Sequence, residues 1–367
     1  MGKSAVKGFF YLILIAATGA LAAITLLAAF SGSYMPEESK VMSLLGLAVP
    51  ILLIVNLVVG LCWAFARKVW VCIPLVAILG NWNYLSSVIQ FHSQQELPPE
   101  VTAFRTDPKG YLTIATYNVH NFGNEVTGYS CKEIARLMKD ERVDVLCFQE
   151  SGSNRYFPAD SVCKAFAHWP YVFVPGDSIR GVLSMAIFSR YPLINQNYIT
   201  YDESANSSMM CDVVLGADTV RLLNNHLQTT SVTQNRRKWE RELATDNTRR
   251  EVNAVKSAAG TLHENFLKRA GQTDNICQLA THSPYPVLVC GDFNSLPSSY
   301  TYHRLNDILK DGFRSAGSGY MYTYRYGKRL LRIDYIFHSP SLEGVRYTSP
   351  DWDLCSDHNP VIFSMKL

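Results

Sequence analysis

Hydrophobic and polar positions divide this 367-residue chain into two unlike parts. Residues 9–30 form an uncharged run of 22, and residues 41–66 and 69–91 form two more, the last interrupted by Asn81, Trp82 and Asn83. At about 1.5 Å of rise per helical residue, each run can cross a hydrocarbon core of about 30 Å. The pattern predicts a transmembrane anchor of about three spans over residues 1–91. The first run is too long and too little punctuated for a cleaved signal peptide. A polar, proline-containing stretch at residues 92–110 reads as a linker.

From residue 111 onward the pattern is that of an α/β protein. Short apolar runs at residues 111–121, 143–150, 182–188, 220–227, 287–290 and 361–365 read as strands, and two more strands are expected around Gly327. Residues 130–138 carry Ile134, Leu137 and Met138 at helical spacing, with Ser130 placed to cap the helix. Residues 234–275 show helical spacing again, through Trp239, Val252, Val255, Leu262 and Phe266.

Composition sharpens the division. The mean hydropathy of +0.00 averages two unlike parts. Residues 1–91 hold five basic and two acidic side chains, which leaves 29 of each sign beyond them. The net charge of +3 therefore belongs to the anchor, and the rest of the chain lacks the basic excess of a strong nucleic-acid binder. Lys3, Lys7, Arg67 and Lys68 flank the spans on one side, whereas the 31–40 loop is slightly acidic. The positive-inside rule then puts the N-terminus and the 67–68 turn in the cytoplasm, and three spans deliver the rest outside it. Two spans would leave it cytoplasmic. Nine cysteines without tight spacing argue against a disulfide framework or a cysteine zinc site, while one isolated disulfide among Cys131, Cys163, Cys211, Cys277 and Cys355 stays open.

Polar residues at strand ends carry the candidate chemistry. Beyond Gly291, Asp292 and Asn294 stand two residues apart and face the same way. A carboxylate and a carboxamide at a strand mouth can hold a water and a phosphate oxygen, or a hard cation. The same residues also serve ordinary turns. Glu150 alone reads as a solvated strand end, His226 as a satisfied structural imidazole, and the basic cluster at residues 236–250 as a solvated helix face first and a phosphate-contacting one second. Asp334 differs, because a carboxylate inside an apolar run costs several kcal/mol unless it is paired. Asp357 and His358, just before the last strand, offer the partner.

Six pieces stand in order: Tyr117 and Asn118; Gln149 and Glu150; Asn225, His226 and Leu227; Gly291 to Asn294; Arg332 to Tyr335; Ser356 to Pro360. This set resembles the endonuclease/exonuclease/phosphatase superfamily of metal-dependent phosphoesterases, over residues 111–367. The resemblance implies a four-layer sandwich of two mixed β-sheets flanked by helices. It implies Glu150 as the principal metal ligand, helped by Asn118 and Asp357, for Mg²⁺ or Mn²⁺, with zinc ranked lower. Asp292 would deprotonate the attacking water, with Asn294 holding that water or a phosphate oxygen. His226 and His358 would donate to phosphoryl oxygens, and Asp334 would orient His358. His120 departs from the pattern, since some nuclease relatives carry an acidic metal ligand there. Arg329 and Arg332 are candidate substrate contacts. The expected activity is phosphodiester hydrolysis at a bilayer, on nucleic acid first and on a phospholipid head group second. A non-catalytic ligand-binding domain is the contrasting possibility, and no protein partner is implied.

Overall fold

The computed structural model describes residues 3–93, 110–175, 184–230, 248–326 and 328–367. Most of the expected linker, the side chains of the basic cluster at 236–250, and Gly327 lie outside the described residues.

Two 26-residue helices open the chain, α1 (Lys3–Ala28) and α2 (Lys40–Phe65), and both are long and apolar enough to cross a membrane. The third apolar run is not the single helix its composition suggests. It is divided into α3 (Cys72–Gly80) and α4 (Trp82–Val88), bent by 65°, and its last residues form strand β1 (Ile89–Phe91). Asn81 causes the break: its buried amide nitrogen donates to the carbonyls of Ala77 and Thr25, each at 3.0 Å. Asn56 donates to the Thr25 hydroxyl at 2.7 Å, so a small polar network ties the apolar helices together.

The remaining elements follow in order. They are β2 (Tyr111–Asn118), α5 (Tyr129–Asp140), β3 (Val145–Gln149), α6 (Ala159–Ala165), β4 (Tyr171–Phe173), β5 (Met185–Ser189), β6 (Leu193–Thr200), β7 (Ser207–Leu215) and β8 (Asp218–His226). Then come α7 (Thr248–Thr281), β9 (Val287–Asp292), α8 (Tyr300–Asn306), β10 (Lys310–Asp311), α9 (Gly312–Ala316), β11 (Ser318–Tyr320), β12 (Asp334–His338), β13 (Glu343–Thr348) and β14 (Val361–Lys366). Of the two strands expected within residues 320–337, the second is β12, whereas the first is reduced, among the described residues, to bridges of Tyr324 with Leu331 and with His358. The helix expected to be capped by Ser130 starts two residues earlier, after Gly128, and Ser130 instead bonds the Glu125 carboxylate.

Two six-stranded mixed sheets result, in the orders β13-β14-β2-β3-β5-β4 and β10-β12-β9-β8-β7-β6. The parallel pairs are β2 with β3 and β8 with β9. Between the sheets, Ile114, Val145, Cys147 and Ile187 meet Cys211, Leu222, Cys290 and Ile336. Ile134 and Met138 of α5 cover the outer face of the first sheet with Phe148 and Phe188, and Ile276 of α7 with Leu305 of α8 covers the second. This is the four-layer sandwich. Central strands buried on both faces read as continuous apolar runs, which is why the sequence reveals them. All nine cysteines are free thiols, with Cys147 and Cys290 buried as expected.

Anchor and sandwich are joined. Strand β1 pairs antiparallel with β11, and the Met321 amide donates to the Val88 carbonyl at 2.8 Å. Arg332, expected as a substrate contact, is buried in this joint instead. Its guanidinium forks onto Asp311 at 2.6 and 2.7 Å, donates to the Ser87 carbonyl at 2.7 Å, and lies against the rings of Phe313, Tyr335 and Tyr347. Removing one member of a buried ion pair strands the other. Arg332→Met is expected to destabilise the protein by about 3–5 kcal/mol, seen as a lowered thermal midpoint in detergent. A raised KM at unchanged midpoint would restore Arg332 as a substrate contact.

Candidate active site

Strand pairing builds the site. In the parallel pair, His226 at the end of β8 lies opposite Asp292 at the end of β9, and in the antiparallel pair Asp292 lies opposite Asp334 of β12. In the other sheet Asn118 lies opposite Gln149, with Glu150 just beyond. Both sets of strand ends open into one cleft of about 690 Å³, which Asn118, Glu150, His226, Asp292, Asn294 and His358 help to line. Gly291 makes the β9 end possible: its φ is +135°, and a Cβ there would run into the Asn225 carbonyl oxygen. Glu150 and Asn294 both adopt φ of +49°. That left-handed conformation costs a non-glycine residue roughly 1–2 kcal/mol, a kind of strain that gathers at functional sites.

The two expected histidines sit in opposite electrostatic states. Both Asp334 oxygens face His358 Nδ1, at 3.1 and 2.9 Å, while Nε2 lies 3.7 Å from Asp292 Oδ2. Burial opposes charge on this ring, but Asp334 and Asp292 outweigh it and hold its pKa up to about 10. Tyr324 packs edge-on against the same ring at 5.2 Å. His226 is completely buried, and burial holds its pKa down against the pull of Asp292 and Glu150. Among the described residues neither of its ring nitrogens has a hydrogen-bond partner, and Nε2 lies 3.7 Å from Asp292 Oδ2 and 3.8 Å from Glu150 Oε1. Burial raises the pKa of Asp292, with the His358 charge acting against it. Its Oδ1 accepts the Asn294 amide at 2.9 Å, and the Asn294 side chain donates to the Leu227 carbonyl at 3.1 Å.

Two groupings of these side chains offer metal-ligating atoms. Asp292, Asp334 and His358 bring one such atom each within 4.8 Å of the others. Asp334, however, spends both oxygens on the imidazole, which suits a carboxylate–imidazolium pair better than a cation. Glu150 and Asp357 keep 18% and 24% of their side chains exposed and face His120, whose Nδ1 is 3.6 Å from Glu150 and 3.9 Å from Asp357. Burial would raise the Glu150 pKa, but His120, His226 and Asn118 bring it down to about 2, so it is an anion throughout the neutral range. This second grouping fits a divalent cation better. Asn118 supports it indirectly: its amide nitrogen donates to Glu150 and to Asp292, each at 3.1 Å, while its oxygen accepts the His120 amide. The oxygen expected to bind metal is thus turned onto the backbone.

Arg329 and Arg332 do not join the cleft. Arg329 is exposed, pairs with Asp351 at 3.1 Å, and lies over the Tyr322 ring. The cleft's arginine is Arg269 of α7, which donates to the Gln228 carbonyl at 2.8 Å and whose pKa burial brings down to about 9. No motif or spacing marked it. The anchor's share was equally hidden: Ser31, Tyr34, Gly46 and Leu47 line the same cleft.

The model of the Endonuclease/Exonuclease/phosphatase family matches residues 115–358, and that of a domain of unknown function matches residues 10–88. A search of curated proteins finds no match. Among solved structures, truncated Caenorhabditis elegans TDP2 is similar at 16% identity and a TM-score of 0.51, covering 70% of this chain and 98% of its own. A D. rerio TDP2 humanized by 14 mutations gives 16% and 0.52, covering 70% and 100%, and D. rerio TDP2 with single strand DNA product gives 15% and 0.51, covering 70% and 99%. These likenesses show the fold. With two thirds of its length matched and the strand-end residues converging on one cleft, the chain belongs to the endonuclease/exonuclease/phosphatase family.

Proposed function

We propose that this protein is a membrane-anchored hydrolase of phosphodiester bonds that uses Mg²⁺ or Mn²⁺ and direct attack by water. The observation that carries the proposal is the row of His226, Asp292 and Asp334 beside His358, facing Glu150, with a buried imidazole whose nitrogens await a partner. Asp292 takes the proton of the attacking water, a role that its raised pKa serves. The water oxygen bonds to phosphorus, one ester P–O bond breaks, and the departing alkoxide takes a proton from solvent. His226 and the His358 imidazolium donate to the phosphoryl oxygens, and Asp334 fixes the ring of His358. Glu150 and Asp357 would hold the cation, with His120 as a nitrogen neighbour, and a bound divalent ion neutralises charge on the phosphoryl group. A domain that had lost catalysis would be expected to lack the base or the paired His and Asp, and Asp292, Asp334 and His358 are all present.

Sidedness has structural support as well. The 31–39 loop, α4 and β1 all meet the sandwich, whereas Arg67 and Lys68 lie at the far end of α2. The broken third segment thus brings the chain back to the side of the 31–39 loop. Together with the basic residues at 3, 7, 67 and 68, this supports a catalytic domain outside the cytoplasm. As for the substrate, one neighbour, D. rerio TDP2, was solved with single strand DNA product, which supports nucleic acid; the anchor supports a lipid head group.

Asp292→Asn is expected to lower kcat for bis-p-nitrophenyl phosphate with Mn²⁺ by about 10²–10⁴-fold, with the thermal midpoint retained; equal rates in mutant and wild type would end the proposal. The pH profile gives a second check. The pKa of His358 is raised from 6.5 to about 10, so its charge and the stability it contributes are complete below about pH 6.5 and lost as pH rises through about 10. Asp334→Asn is therefore expected to move the alkaline limb of kcat toward neutral pH, whereas a limb that stays in place would remove the imidazolium from the mechanism.

A further inference from the structure

The α1–α2 hairpin does more than hold the enzyme to a membrane. Its tip and the first turns of α2 supply one wall of the catalytic cleft: Ser31, Tyr34, Gly46 and Leu47 line the same cavity as His226 and Asp292. The seam is specific. The Ser31 hydroxyl donates to the Ser298 carbonyl at 2.8 Å, and the Ser298 hydroxyl donates to the Gly46 carbonyl at 2.7 Å. Gly46 has to be small, since a Cβ would come within 2.7 Å of Ser31 Oγ, and Gly32 lies directly under the ring of His303.

The level of this wall relative to the lipid follows from helix length. A hydrocarbon core takes about 20 helical residues. Counted back from the Arg67 and Lys68 turn, those residues put the upper hydrocarbon boundary near Gly46 and Leu47. The cleft therefore opens at the depth where glycerol backbones and phosphates lie. Its rim is also continuous with the lipid-facing surface: Leu47 is 37% exposed and Tyr34 45%, and the neighbouring Phe30 and Val41 reach 61% and 72%. Among the described residues, the cleft offers a polynucleotide little positive charge. Tracking its backbone needs a series of cations, and Arg269 is the one Lys or Arg among the described residues that line the cleft.

We propose that the substrate is a phosphodiester lipid of the surrounding bilayer, with its head group among the catalytic residues and its apolar part running past Leu47 and Tyr34 along α1 and α2. This rests on the hydrolase reading and narrows it. The test uses the full chain in nanodiscs made, in separate samples, with phosphatidylglycerol, phosphatidylethanolamine or sphingomyelin, with Mn²⁺ or Mg²⁺ present. Release of head-group or lipid phosphomonoester is compared with turnover of bis-p-nitrophenyl phosphate and of single-stranded DNA and RNA oligonucleotides. At least one lipid is expected to be cleaved with a higher kcat/KM than either oligonucleotide. Leu47→Asp and Tyr34→Ala are each expected to lower the ratio of lipid to bis-p-nitrophenyl phosphate turnover tenfold or more. A wild type that cleaves bis-p-nitrophenyl phosphate but none of the lipids overturns the lipid assignment alone, as does an unchanged ratio in both variants. A wild type that cleaves neither overturns the hydrolase reading beneath it.

Discussion

The register of three strands holds this site together. His226, Asp292 and Asp334 occupy one row across β8, β9 and β12 because each pair is set by backbone hydrogen bonds along the whole strand. Side chains alternate faces along a strand, so a slip of one residue in β9 would turn Asp292 into the layer now filled by Phe293. Gly291 is the local condition for this register: it lets the β9 backbone approach Asn225 where any side chain would collide. Positioning of His226, Asp292 and Asp334 is thereby delegated to the stiffest part of the fold.

The second sheet has to be held against the first with equal care, because Glu150 arrives from the other one. Polar contacts do this at the cleft end of an otherwise apolar interface. Gln149 donates to Asn224 at 2.6 Å and to the Thr116 hydroxyl at 2.9 Å, and Asn224 donates in turn to the Phe148 carbonyl at 3.2 Å. Apolar contact alone permits sliding, whereas hydrogen bonds fix an offset. The Ser356 hydroxyl acts likewise for the last loop, donating to the Asn118 carbonyl at 2.5 Å while accepting the His358 amide at 3.0 Å. Gln149 and Ser356, with Asn118 bonding both Glu150 and Asp292, thus set the distances across the cleft.

This distribution explains what the sequence discloses and what it conceals. Central strands buried on both faces announce themselves as apolar runs, and Asp334 betrays itself as a carboxylate that no apolar run would carry without a partner. Those signals are local. Arg332 misleads for the same reason: a basic residue beside a motif looks like a substrate contact, and only tertiary structure reveals Asp311 waiting for it. Arg269 lies mid-helix and reaches the cleft through packing of α7, which no spacing rule encodes. The break at Asn81 was visible as a polar residue in an apolar run, but its cause, the Thr25 carbonyl on another helix, was not.

The apolar helices and the cleft residues are also mechanically linked. The segment that leaves β9 carries Asp292 and Asn294, and within a few residues it reaches Ser298, which exchanges hydrogen bonds with Ser31 and Gly46 of the hairpin. The segment then enters α8, which Ser299 caps and whose Tyr302 hydroxyl donates to Asp311 of the sandwich at 2.7 Å. A tilt of α1 and α2 relative to the sandwich is therefore delivered through this loop to the residues next to Asp292. The two parts of the chain share one loop, so the geometry of the cleft depends on how the helices sit as well as on the sheets behind it.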